Sequence, residues 1–135
     1  MINKKEIIEG VIKEKRNEKY EIGVFDCLIF TCIVVERITD RKVLHLFKGK
    51  YWDERSSLKL MLSFGKSFKE AISNVLKAQP IELVKSRTGD VLLFNDVNKT
   101  PHLGIYYEGS VVLTMKDGLT SLPFLSCETA WSLSK

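Results

Sequence analysis

The chain has 135 residues, 44% hydrophobic and 28% charged, and this composition and length predict one globular domain spanning residues 1–135. The formal net charge is +4, but the lysines are spread along the chain and form no basic stripe with interleaved aromatic residues, so the charge does not indicate nucleic-acid binding. The three cysteines include no CxxC pair and no His/Cys cluster, which argues against a disulfide scaffold, a structural zinc ion or any other cofactor.

The first segment, MINKKEIIEGVIKEKRN, is charged throughout. It lacks the apolar core of a signal peptide, and no uncharged run in the chain is long enough to span a bilayer, so we expect synthesis in the cytoplasm and no membrane span. Delivery inside a larger particle would need no signal either. Apolar residues recur at helical spacing over residues 3–16, and Asn3 with Glu6 matches a capping box, which predicts an amphipathic helix.

A second helix is predicted to begin after Asp26. The preceding segment, RNEKYEIGVFD, has no periodicity and is predicted to be a loop. Asp26 is a favourable N-cap residue, and residues 27–35 carry no charge. This helix, running to about Ile38, is apolar nearly all round, so it is expected to be central and covered on most sides.

The middle of the chain is predicted to be a connection followed by two short helices. The connection, TDRKVLHLFKGKYWDERS, is polar and holds a few apolar anchors. The helices fall in SSLKLMLSFG and SFKEAISNVLKAQP, and Ser67 caps the second, which Pro80 closes.

After Pro80 the pattern changes from helical to extended. GDVLLFND, HLGIYYEG, SVVLTMKDG and LTSLPFLS are short runs of strand-forming residues separated by Gly, Asn-Asp and Asp-Gly. They predict an antiparallel β-meander. N-terminal helices packed on a C-terminal antiparallel meander make an α+β fold.

Cys27 and His102 are the residues most suited to nucleophilic chemistry. A cysteine reacts as the thiolate, and its pKa, ~8.5 when free, is lowered by a helix N-terminus and by a neighbouring imidazolium. Cys27 lies in the first turn of the predicted second helix, and His102 lies at the start of a predicted strand, where Pro101 orders the approach. The other histidine, His45, lies in the apolar stretch VLHLFKG and is predicted to be a half-buried structural residue.

These positions belong to a wider set of motifs that resembles a known family. The set comprises Tyr20, Gly23, Asp26 and Cys27, GDVLLF at 89–94, HLGIYY at 102–107, and Ala130-Trp131. It resembles the NlpC-type cell-wall cysteine peptidases, which have a papain-like fold, and is closest to their short branch in phages and prophages. The resemblance covers most of the chain and is weak through residues 40–80.

The resemblance implies a role for each site residue. Cys27 would be the nucleophile and His102 the general base, with Tyr20 matching the family tyrosine whose hydroxyl lies beside the thiol. The polar residue that orients the imidazole would fall at Thr114, although threonine binds an imidazole weakly. The family usually has Asp-Cys-Ser-Gly, whereas here Leu28 and the following isoleucine stand after the cysteine.

The implied reaction is acyl transfer on a peptidoglycan stem peptide. The Cys27 thiolate would attack an amide carbonyl, while the Cys27 backbone N–H and the Tyr20 hydroxyl hold the oxyanion. His102 would protonate the leaving amine, and water would release the acyl group. The phage branch further implies a tail setting, with tail-tip or baseplate proteins as partners.

Each of these residues also has a structural explanation. A lone cysteine such as Cys27 is most often a buried apolar residue, and Cys32 is assigned to the core. Asp26 is explained as a helix cap worth about 1 kcal/mol, and Tyr20 as packing.

Several further features receive structural assignments. Gly89 and Asp90 are predicted to form a turn entering the first strand. Tyr51 and Trp52 are interpreted as core anchors in preference to a ligand-facing aromatic pair. Cys127 is given no role.

The sequence therefore predicts a cysteine peptidase or amidase. The alternative from another class is a non-catalytic structural or assembly protein of a phage tail that keeps the fold, which the residues after Cys27 and the weak Thr114 favour. A third interpretation is an acyltransferase or toxin-type amidase that uses the same dyad on a substrate outside the cell wall.

Overall fold

The structure is a computed structural model that describes residues 3–133. Within these residues four helices come first: α1 (Lys4–Lys15), α2 (Cys27–Thr39), α3 (Glu54–Leu62) and α4 (Phe68–Leu76). Six strands follow: β1 (Pro80–Ile81), β2 (Val91–Asn95), β3 (Pro101–Tyr107), β4 (Ser110–Met115), β5 (Gly118–Pro123) and β6 (Thr129–Trp131). Short 3₁₀ turns lie at Leu44–Leu46, Leu83–Lys85 and Phe124–Ser126. The fold is α+β, which confirms the predicted class.

The strands form one antiparallel sheet with the order β1-β6-β2-β3-β4-β5. Strands β2 to β5 are the predicted meander. The prediction of a simple meander was incomplete, because β6 returns to pair with β2 and carries β1 on its outer edge. These two strands have three and two residues, too few for an alternating pattern to reveal them in the sequence.

Helix α2 is the central element, as its apolar sequence predicted. It lies between α1 and the strands β3 and β4. Nine of its 13 residues are buried, including Phe30 and Val34 with no exposed surface. It begins as predicted: the Asp26 side chain accepts a hydrogen bond from the backbone N–H of Ile29. It ends at Thr39, with Asp40 in the left-handed conformation.

The caps of the other helices explain where they begin. Asn3 accepts a hydrogen bond from the backbone N–H of Glu6 and caps α1, and Ser67 caps α4, both as predicted. Helix α3 begins earlier than the predicted segment, at Glu54, because Asp53 and Ser56 form a capping box.

The connection between α2 and α3 is anchored by Val43, Phe47 and Tyr51, all of which are buried. Trp52 is 76% exposed, so the core-anchor prediction is correct for Tyr51 and wrong for Trp52. His45 is exposed on a 3₁₀ turn, and its predicted half-burial was wrong because the turn directs its two leucine neighbours, rather than the imidazole, toward the core. Among residues 3–133 no helix has the length and apolar character to cross a membrane.

The central position of α2 gives a first prediction. We expect Val34→Ala to lower the free energy of unfolding by about 2 kcal/mol, because it removes fully buried methyl groups and leaves a cavity. Val97→Ala is the matched control: Val97 is 98% exposed, so its loss should change stability by less than about 0.5 kcal/mol. Urea denaturation measures both, and equal effects would contradict the central placement of α2.

Candidate active site

The packing of α2 against β3 brings Cys27 and His102 together. Cys27 is the first residue of α2, and His102 is the second residue of β3. Their side chains meet with Cys27 Sγ 3.6 Å from His102 Nδ1. Cys27 is half-buried and the His102 side chain is 15% exposed, so both border a surface cleft.

The far side of the imidazole is held by Asp96, which the sequence analysis did not identify. His102 Nε2 lies 3.0 Å from Asp96 Oδ2. The other carboxylate oxygen of Asp96 accepts hydrogen bonds from the backbone N–H groups of Asn98 and Thr100, which fixes it in the β2–β3 turn. The hydrogen bond from His102, followed by those from the backbone, lowers the pKa of Asp96 below its ordinary value. An ionised Asp96 favours the tautomer with the proton on Nε2, which leaves Nδ1 free to accept the thiol proton.

Thr114 does not take the orienting role predicted for it. It lies in β4 opposite Leu119, is 1% exposed, and its hydroxyl has no hydrogen-bond partner among the described residues. The orienting contact comes instead from Asp96, which opens the β2–β3 turn six residues before His102 and reaches the imidazole from the same hairpin. The signal in the sequence was NDVNKTPH, in which an Asp opens a tight turn just before the histidine.

Asp26 is buried beside the nucleophile and is hydrogen-bonded on both oxygens. One oxygen accepts from the Ile29 backbone N–H at 2.9 Å. The other accepts from the Gly23 backbone N–H at 2.9 Å and from the Tyr51 hydroxyl at 2.6 Å. The predicted helix cap is therefore present, and it also joins the preceding loop to the connection before α3.

Gly23 occupies a position that only glycine fits. Its φ is +85°, and a Cβ there would lie 2.1 Å from the carbonyl oxygen of Tyr51. The Gly49 backbone N–H also donates to the Gly23 carbonyl at 2.8 Å. These contacts hold the loop that leads into Cys27 tightly against the connection.

The environment of Cys27 opposes a free thiolate. Burial, and after it the negative charge of Asp26, raises the pKa of the Cys27 thiol to about 12. The backbone N–H group of Leu103 in β3 and those of Leu28 and Cys27 at the N-terminus of α2 act in the opposite direction but do not outweigh burial. The sequence-based expectation of a lowered thiol pKa is therefore not met, because the backbone N–H groups lower the pKa by less than burial and Asp26 raise it.

Proton transfer to His102 changes this balance. At a separation of 3.6 Å, the attraction between thiolate and imidazolium is about 4–5 kcal/mol at an effective dielectric constant of ~20. That energy shifts the equilibrium for proton transfer from the thiol to the imidazole by about a thousandfold. The shift is similar in size to the loss of thiol acidity that burial causes. An ion pair with His102 would therefore offset the cost of burying the thiolate.

Tyr20 lines the same cleft. Burial, followed by the nearby charges of Cys27, Asp26 and Glu54, raises the pKa of Tyr20 to about 12. Its hydroxyl therefore keeps its proton at neutral pH and is available as a hydrogen-bond donor. The predicted role of Tyr20 beside the thiol stays a prediction.

The cleft has a volume of about 430 Å³ and three walls. The first comes from the Cys27 loop and α2, the second from α3 and the third from the turn into β3. The lining residues are Tyr20, Ile22, Asp26, Cys27, Leu28, Tyr51, Glu54, Arg55, Ser57, Leu58, Met61, Phe68, Lys99, Thr100, Pro101, His102 and Leu103. Over residues 3–133, no group of three or more His, Cys, Asp or Glu side chains is arranged to hold a metal ion.

Comparison with known proteins gives a family and a fold. The model of the family described as "Domain of unknown function (DUF6950)" matches residues 3–133. The chain is also similar in structure to the NlpC/p60 domain of the peptidoglycan hydrolase SagA, with a TM-score of 0.61 and 18% identity over 97% of this chain and 99% of that one. No match was found among curated proteins.

Substitutions distinguish Asp96 from Thr114 as the residue that orients the His102 imidazole. We expect Asp96→Ala to slow iodoacetamide labelling of Cys27 at pH 7 by about tenfold or more, because the imidazole loses its tautomeric bias and its anchor. Thr114→Val should leave labelling unchanged and raise stability by up to about 1 kcal/mol, because it removes an unpaired buried hydroxyl. Asp117→Ala, at an exposed carboxylate in the β4–β5 turn, is the control. Slow labelling in the Thr114 variant alone would restore the original assignment.

Proposed function

This chain belongs to the DUF6950 family and shares its fold with an NlpC/p60 domain, and from that premise we propose that it is a cysteine hydrolase that cleaves an amide bond in peptidoglycan peptides. Cys27 is the nucleophile, His102 the general acid–base and Asp96 the residue that orients the imidazole. The whole of residues 1–135 acts as one catalytic domain in this proposal.

The observation that carries the proposal is the alignment of three side chains, one from the start of α2 and two from the β2–β3 hairpin. The Cys27 Sγ atom lies 3.6 Å from His102 Nδ1, and His102 Nε2 on the far side of the ring lies 3.0 Å from Asp96 Oδ2. A buried structural cysteine requires neither an imidazole beside it nor a carboxylate behind that imidazole. Cys27 and His102 also line a cleft that a substrate can enter, and Cys27 begins a helix. Both features favour acyl transfer by a cysteine nucleophile.

The reaction follows from this arrangement. As substrate binds, His102 Nδ1 takes the proton of the Cys27 thiol, and the sulfur attacks the amide carbonyl carbon. The oxyanion accepts hydrogen bonds from the Cys27 backbone N–H and the Tyr20 hydroxyl. The imidazolium then returns its proton to the leaving amine, and a water molecule activated by His102 hydrolyses the thioester.

The cleft and the fold together support a peptide substrate. A volume of about 430 Å³ accommodates two or three amino-acid residues, and α3 forms a wall along which an extended peptide can lie. The similar NlpC/p60 domain is described as part of a peptidoglycan hydrolase, which supports cell-wall peptide as the substrate class. Synthesis in the cytoplasm and incorporation into a phage tail remain predictions from the sequence.

A non-catalytic role is the second candidate, and two features favour it. Burial and Asp26 raise the pKa of the Cys27 thiol, and Leu28 follows the cysteine where related peptidases usually have serine. A protein that retained the fold only as an assembly module of a phage tail would tolerate both features. The two candidates differ in whether removing the thiol abolishes an activity.

Digestion of purified peptidoglycan and its soluble stem-peptide fragments tests the proposal. We expect the wild type to release new amino and carboxyl termini from one type of amide bond, and Cys27→Ala and His102→Ala to reduce the rate at least about 10³-fold. Cys127→Ala, at a buried cysteine that does not line the cleft, is the matched control and should retain activity.

Two results would overturn the assignment. A folded wild type that cleaves none of the fragments would favour the assembly role. Cleavage that survives in Cys27→Ala would show that another group performs the chemistry.

A further inference from the structure

The position of Asp26 presents an electrostatic problem for the proposed nucleophile. Its carboxylate is 5% exposed and adjoins Cys27 in sequence, and its charge is one of the causes that raise the pKa of the thiol. The same carboxylate caps α2 through the Ile29 backbone N–H. The Asp26 carboxylate is therefore needed as the cap of α2, but its negative charge opposes formation of the Cys27 thiolate.

Tyr51 is placed to reduce this conflict. Its side chain is 4% exposed, and its hydroxyl donates to the Asp26 oxygen that does not cap the helix, at 2.6 Å. The contact is fixed by the backbone, because Gly23 packs directly on the Tyr51 carbonyl and accepts a hydrogen bond from Gly49. Burial and the charge of Asp26 raise the pKa of Tyr51 far above its ordinary value, so the hydroxyl is a permanent donor.

We propose that Tyr51 is a positioning residue that acts on Cys27 through Asp26. By donating to one carboxylate oxygen it draws negative charge away from the sulfur and turns the other oxygen toward the N-terminus of α2. Without the Tyr51 hydroxyl, the negative charge of the Asp26 carboxylate beside Cys27 has one hydrogen-bond donor fewer, and the thiolate becomes harder to form. This inference rests on the proposed function. It adds Tyr51, from the connection before α3, as a residue that adjusts the acidity of the Cys27 thiol.

Other charged and titratable groups face the sulfur from the elements around it. Tyr20 and Asp26 come from the preceding loop, and Cys32 lies one turn further along α2. His102 faces it from β3. Glu54 and Arg55 of α3 line the outer cleft, as does Lys99 from the turn before β3. Apart from Asp26 itself, all of these groups remain unchanged in the variants below, so a difference in titration reports on Tyr51 and Asp26.

A double-mutant cycle with Tyr51→Phe and Asp26→Asn tests the inference. The readout is the rate of Cys27 alkylation by iodoacetamide as a function of pH, with the labelled site mapped by mass spectrometry. Tyr51→Phe should slow labelling at pH 7 by about threefold to tenfold and move its titration to higher pH. Asp26→Asn should move the titration to lower pH, because it removes the neighbouring charge.

The double variant separates an electrostatic role from a packing role. If Tyr51 acts through the charge of Asp26, adding Tyr51→Phe to Asp26→Asn should change the labelling profile by less than about twofold. Tyr107→Phe is the matched control, because the Tyr107 hydroxyl donates to Glu9, away from the cleft, and its loss should leave labelling unchanged. Should Tyr51→Phe fail to fold, site-specific 3-fluorotyrosine at position 51, a stronger donor of the same shape, is expected to speed labelling.

Two results would overturn the inference. One is a folded Tyr51→Phe variant that labels with the wild-type pH profile, and the other is an effect of equal size with and without Asp26. Either result leaves peptidoglycan digestion by the wild type unaffected. Failure of the proposed function would instead appear as absent digestion, whatever the labelling profile of the variants.

Discussion

The Asp26 carboxylate is the interaction on which the site depends. It accepts three hydrogen bonds from three segments: the loop at Gly23, the connection at Tyr51 and the first turn of α2 at Ile29. Because it is buried and fully paired, it sets where α2 begins and therefore where the Cys27 sulfur lies. The same contacts hold the connection that leads to α3, the helix that forms one wall of the cleft.

The second requirement is electrostatic balance at the sulfur. A buried thiol next to a carboxylate is a poor acid, and the pKa of Cys27 is accordingly raised. An imidazole at 3.6 Å supplies an attraction of comparable size once it takes the proton, and Asp96 behind the ring favours that step. Reactivity in this arrangement belongs to the pair of Cys27 and His102 and not to the cysteine alone, which is why the helix N-terminus by itself is a poor guide to it.

Local patterns in the sequence predicted the features whose causes are local. Asp26 and Ser67 were identified as caps because a cap needs only the following turn, and the apolar block after Asp26 indicated a buried helix. Asp96 and Tyr51 were missed because their roles depend on contacts with residues that lie six and 25 positions away and meet only in the folded chain. Thr114 was placed by analogy with a family pattern, and the register of β4 puts its hydroxyl out of contact with any partner among the described residues. The short strands β1 and β6 escaped detection because pairing with β2, not intrinsic propensity, holds β6 in the sheet.

The most direct test of the account is the pH dependence of Cys27 alkylation in the wild type and in His102→Ala. The account predicts that the wild type is labelled at neutral pH through the ion pair. In His102→Ala, labelling should require strongly alkaline pH, because no imidazolium then offsets the effects of burial and Asp26 on the thiol. Identical profiles for the two proteins, or a wild-type thiol that reacts only after unfolding, would contradict a catalytic pair and make Cys27 a structural residue.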